Sequence, residues 1–246
     1  MKKNRMTKHT YLIYGISKGL GKALARHLPG PDDQVYGVSR SQPDYLHNAN
    51  HKMEWISADL AKPAESAASI RNAIGGSRID YLIYNVGIWE HNAFSDGYDF
   101  KDNTEEEILT MINTNISSCL LAVRSFTENL KKSENAKIIL IGSTWGLENH
   151  NGKEVTFSAT KFALRGIIHA LRENLREYSI GVSVLNLGYL ATEFDYEDDL
   201  DTVIEQTDAE LIPLQDVIAA VRFILSTSKA TCVKEITMPA MKDMNV

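Results

Sequence analysis

The chain has 246 residues, of which 43% are hydrophobic and 24% charged, the proportions of an ordinary globular protein. Its 26 lysines and arginines against 32 aspartates and glutamates leave a net charge of −6. That balance argues against nonspecific nucleic-acid binding, which rests on neutralising phosphates. The length suits a single α/β domain spanning 1–246, with chain enough for a core on both faces of a sheet. Cys119 and Cys232 lie far apart, with no CxxC and no Cys/His cluster. Neither a disulfide framework nor a metal site is therefore expected, and both read as small core hydrophobes.

Residues 1–8 form a basic tail, Met1-Lys2-Lys3-Asn4-Arg5-Met6-Thr7-Lys8. The apolar run after it is too short for a signal-peptide core or a membrane span, so a cytoplasmic location and no membrane partner are expected. From there apolar runs alternate with helical patterns, the signature of βαβ units and a parallel sheet. Strands are predicted at 10–15, 34–39, 53–57, 79–84, 136–142, 181–187 and 234–238. Helices are predicted at 19–28, 63–75, 105–132, 156–178 and 213–227. Most strands are continuous apolar strings, such as Ile138-Ile139-Leu140-Ile141, as suits strands covered on both faces. Two connections are long. Residues 88–104 hold Trp89, His91, Phe94, Tyr98 and Phe100; residues 188–212, a candidate substrate lid, are dense in acid. Ligands in open parallel sheets bind beyond the carboxyl ends of the strands, where both connections fall.

The first strand meets the first helix in Gly15-Ile16-Ser17-Lys18-Gly19-Leu20-Gly21. Glycines there permit a tight turn and let a pyrophosphate approach a helix N-terminus, whose free N–H groups favour an anion. The second strand ends in Ser39-Arg40, with no acid to hold a ribose hydroxyl. Arg40 offers a planar fork for a 2′-phosphate and Lys18 a second cation, so NADP(H) is expected in preference to NAD.

Further motifs follow in order: Asp59-Leu60, Asn85-Val86-Gly87, Asn115, Ser143 within Ile141-Gly142-Ser143-Thr144-Trp145-Gly146, Phe157-x-x-x-Lys161, and Gly188 to Thr192 with Leu190 between them. With the Gly-x-x-x-Gly-x-Gly turn, they resemble the short-chain dehydrogenase/reductase family over roughly residues 9–238. Leu187 stands where that family usually has proline. The resemblance implies a three-layer doubly wound Rossmann fold with a seven-stranded, mostly parallel sheet. It also implies a homodimer or homotetramer assembled through the two long helices. The family's frequent Asp-Gly-Gly ending is missing, which puts a tetramer in doubt.

In the family a tyrosine four residues before the lysine protonates the substrate oxygen as hydride arrives at carbon. Serine bonds that oxygen, lysine lowers the phenol's pKa and holds the ribose, and asparagine fixes a water leading to the lysine. Ser143, Lys161 and Asn115 match; Phe157 replaces the tyrosine and has no ionisable group. Residues 157 and 161 share a helix face and should project into one cleft. Three explanations stay open: an engineered Tyr-to-Phe variant, an enzyme with another donor such as an enone reductase, and a non-catalytic NADP(H)-binding sensor or scaffold. Tyr189, Tyr84, His150 or a water on Lys161 are the substitute donors; Tyr84 reads as core and His150 as solvated. The substrate, a small organic molecule, should lie among Trp145, residues 147–155, Trp89, His91 and the 189–212 segment. The acids of that segment read either as a lid repelling anions or as a solvated face.

Overall fold

The computed structural model describes residues 8–148 and 150–244. Of the basic tail only Lys8 falls within them. The apolar strings form β1 (Thr10–Tyr14), β2 (Gln34–Ser39), β3 (Lys52–Ser57), β4 (Tyr81–Tyr84), β5 (Lys137–Ile141), β6 (Gly181–Leu187) and β7 (Glu235–Met238). They build one sheet in the order β3-β2-β1-β4-β5-β6-β7, and every neighbouring pair is parallel.

Side chains alternate across each strand, so each face carries its own core. Leu12, Tyr14, Leu82, Tyr84, Ile138 and Leu140 pack on one side against α2 (Pro63–Ile74), α4 (Ser118–Leu130) and α5 (Val155–Leu175). Tyr11, Ile13, Tyr81, Ile83 and Ile139 pack on the other against α1 (Gly19–His27) and α7 (Leu214–Ser226), between which the short α6 (Leu200–Gln206) also intervenes in the chain. This is the three-layer arrangement expected.

The helix expected over 105–132 is divided. Here α3 (Glu105–Ile112) passes into a π-helical turn, Asn113–Ser117, before α4 begins. Long-range bonds sustain the extra residue: Tyr84 Oη donates to the Thr114 carbonyl at 2.6 Å, and Asn115 is drawn toward the loop after β4. Such bulges recur at functional sites. Among the cysteines, Cys119 is buried, but Cys232 is exposed and is no core residue.

Candidate active site

The strand order reverses at β1, which has β2 on one side and β4 on the other. Beyond the carboxyl ends of the strands a cavity of about 950 Å³ opens at that switch point. Its walls include Gly15, Ser17, Lys18, Gly19, Leu20, Ser39, Arg40, Asp59, Leu60, Asn85, Gly87, Gly188, Leu190 and Thr192, all expected at a cofactor site. Gly21 is absent from the wall for a packing reason. A Cβ there would stand 1.8 Å from the Gly15 carbonyl oxygen, so its hydrogen lets the helix close on the turn. Lys18 precedes α1 without any side-chain cap, and no acid occupies the first turn. The opening amides of α1 therefore present an uncompensated positive end to the cavity. Arg40 and Lys18 form no ion pair among the described residues.

Ser143, Phe157 and Lys161 line the same cavity. Ser143 sits just past β5, and its Oγ accepts a bond from the Trp145 amide at 3.2 Å. Lys161, one turn beyond Phe157 on α5, donates to the Ile141 carbonyl at 3.2 Å, and its Nζ lies 5.4 Å from the Phe157 ring centre. Gly87 makes room for it: a Cβ there would approach Nζ to 2.9 Å. Burial pushes the Lys161 ammonium down to a pKa of about 8.

Asn115 is buried just behind the cavity wall that its neighbour Thr114 lines. Its amide bonds both backbone groups of Ile88, at 2.9 and 2.8 Å, and Thr160 Oγ1 at 3.0 Å. It ties the loop after β4 to α5 and works as a brace. Of the substitute donors, Tyr84 is fully buried, as read from sequence, and bonded to Thr114. His150 is half-buried rather than solvated. Its ring stacks on Trp145, Nδ1 accepts from the Gly152 amide, and Nε2 meets Ser158 Oγ at 3.0 Å. Only Tyr189 among the named side chains reaches the cavity wall. Burial, with the Glu154 and Asp243 carboxylates next, pushes its phenol up to about 12.

The substrate end is aromatic. Phe94 stands edge-on to Trp89, Trp145, Phe157 and Tyr189, with centre distances of 5.7, 5.5, 5.7 and 5.6 Å. Its backbone is left-handed, with φ of 64°, a conformation that costs a bulky residue on the order of 1 kcal/mol or more. Glu154 offsets that: it accepts from the Phe94 amide at 2.8 Å and from Trp145 Nε1 at 2.7 Å. Burial raises the Glu154 carboxyl, but those bonds, with backbone bonds besides, outweigh it and hold the group below its usual range. Fully buried Glu90 accepts from the amides of Thr156 and Phe157 at 2.9 and 3.1 Å, capping α5 where the dipole favours an anion. Phe94 was legible as one of the aromatics of the 88–104 connection at the ligand end of the sheet, whereas Glu90 and Glu154 had no signal in the sequence, because their partners lie in distant segments. His91, expected beside the substrate, lines an adjoining cavity instead.

The acids after β6 from Glu193 to Glu210 are all exposed, as the solvated-face reading expects, and two of them also pair with α1. Lys22 and Arg26 of α1 pair with Asp195 at 2.6 Å and Glu197 at 3.0 Å, which pins the segment beside the glycine turn. Asp199 caps α6 through the Thr202 amide.

A doubly wound parallel sheet with a glycine turn, serine and buried lysine around one switch-point cavity defines a nucleotide-binding oxidoreductase architecture. The chain matches the short chain dehydrogenase family over residues 9–202 and belongs to it, as an oxidoreductase. It is 28% identical to the 3-oxoacyl-[acyl-carrier-protein] reductase of Escherichia coli over 230 residues, 89% of this chain and 90% of that one. Its fold resembles a metagenomic short-chain oxidoreductase solved with NADP (20% identity, TM-score 0.71, covering 95% of this chain and 98% of that one). It equally resembles the Brucella melitensis 3-oxoacyl-[acyl-carrier protein] reductase solved with NAD (18% identity, TM-score 0.75, covering 94% and 95%). No helix among the described residues is long and apolar enough to cross a membrane.

Proposed function

We propose that the chain is an NADP(H)-dependent carbonyl reductase or alcohol dehydrogenase for a small organic substrate, weakened because Phe157 occupies the family's tyrosine position. One observation carries this reading: the uncapped α1 turn, Arg40, Ser143, Lys161 and the Phe157 ring all face a single cavity. The nicotinamide, when bound, supplies or takes up hydride. The chain's own residues supply the rest. The α1 amides and Lys18 suit the pyrophosphate, Arg40 and Ser39 the 2′-phosphate, and Lys161 a ribose hydroxyl. Ser143 Oγ–H can donate to a substrate oxygen, while Phe157 fills the cleft without a proton to give.

Phe157→Tyr restores the missing general acid, a contribution of about 10²–10⁴ in rate. NADPH-dependent ketone reduction by that variant should exceed the parent's at least a hundredfold (order of magnitude) with NADPH affinity unchanged. Flat turnover for every carbonyl tried would reject the reading. Tyr189 favours a second one. As a neutral phenol on the cavity wall, it could protonate an enone's carbon, and turnover of enones with Phe157 intact would select it. Exposed Leu109, Ile112, Leu120 and Phe162 on α3, α4 and α5 support assembly of like chains through those helices.

A further inference from the structure

We infer that the substrate half of this cleft is built for a compact, uncharged aryl ketone or aryl enone, and not for an acyl thioester carried on a phosphopantetheine arm. The inference rests on the oxidoreductase reading of the same cleft and adds its substrate class.

Aromatic side chains make up the walls of the substrate end. Trp89, Phe94, Trp145, Phe157 and Tyr189 meet there, and Phe94 is the hub, edge-on to the other four at 62–89°. Edge-to-face contact is the arrangement aromatic rings prefer. A flat aryl group among them finds faces and edges at the same spacing, whereas a flexible acyl chain gains only area. Polar groups free to orient a ligand are few at this end. Ser143 and Lys161 lie together beside Phe157, where a carbonyl would have to sit. The nearby Glu154 carboxylate is already bonded to Trp145 Nε1 and the Phe94 amide. That bond fixes the hub in place despite its left-handed backbone.

Acidic side chains gather beside the aromatic end of the cleft. The main cavity shares Ile88, Trp89 and Thr110 with an adjoining cavity of about 490 Å³. Its lining includes Asp99, Asp102, Glu106 and Glu107 and no lysine or arginine. Lys101 answers Asp99 at 2.7 Å, but the other three form no ion pair among the described residues. The cations Lys18 and Arg40 stand at the opposite, cofactor end. A phosphodiester arm arriving past Trp89 meets like charge, a repulsion that salt screens.

Calorimetric titration of the full chain tests this with three probes: 1-indanone, 4-phenyl-3-buten-2-one and acetoacetyl phosphopantetheine. Both aryl probes should bind at least tenfold tighter than the phosphopantetheine thioester at low salt, and the gap should narrow at high salt. Phe94→Ala should weaken the aryl probes at least fivefold while leaving the thioester unchanged; Phe94→Leu, which keeps bulk without the ring, should fall between. Equal or tighter binding of the thioester overturns the inference. So does aryl affinity indifferent to both Phe94 variants. The titrations are run with NADP+ saturating the phosphate-binding end, and NADP+ itself is titrated first without the probes, so failure of the nucleotide to bind would count against the proposed function alone.

Discussion

Replacing Lys161 by methionine removes a charge that folding takes out of water. The lysine donates to one carbonyl, that of Ile141, and burial pushes its pKa from the usual 10.5 to about 8. That difference of 2.5, at 1.36 kcal/mol for each pKa unit, corresponds to about 3 kcal/mol. Below pH 8 the ammonium is charged in both the folded and the unfolded chain, and the folded state bears the whole desolvation penalty. Between pH 8 and 10.5 the folded lysine is neutral while the unfolded one still binds its proton, so stability rises with pH through this window. Above 10.5 the penalty is gone. Lys161→Met should therefore be more stable than the parent at pH 7, and the parent should recover about 3 kcal/mol of that difference by pH 10.5. Guanidinium unfolding of both proteins without cofactor, followed by circular dichroism at several pH values, measures it; titrations elsewhere cancel between the two. A stability difference that stays constant from pH 7 to 10.5 would refute a buried, strained ammonium at this site.

Two further substitutions probe the two ends of the cleft. Arg40→Ala should weaken NADPH binding by about 10- to 100-fold, the worth of charge-assisted bonds to a phosphate, and change NADH binding little; equal losses for both nucleotides would remove Arg40 from the 2′-phosphate. Glu154→Ala leaves Trp145 Nε1 and the Phe94 amide without their acceptor and should cost about 2–4 kcal/mol in denaturant unfolding. It should also shift tryptophan emission, and a loss below about 0.5 kcal/mol would mean the carboxylate is not the latch.

The layers and the position of the cleft were legible along the chain, because they follow from local rules. Short, β-branched apolar strings such as Ile138–Ile141 suit strands covered on both faces, and their alternation with helical patterns suits parallel crossovers. The Gly15–Gly21 turn and the four-residue spacing of Phe157 and Lys161 are equally local, and the structure sets both on one cavity. What chain-neighbour patterns do not carry is pairing between distant segments. The π turn at Asn113–Ser117 is held by bonds from Tyr84 and from Ile88 in the loop after β4, through which Asn115 braces that loop. The carboxylates of Glu90 and Glu154 gain their meaning from amides 66 and 60 residues away, and Asp195 and Glu197 theirs from Lys22 and Arg26 across the cofactor turn. Such contacts form only once the sheet has fixed which loops meet, so tertiary structure alone decided them.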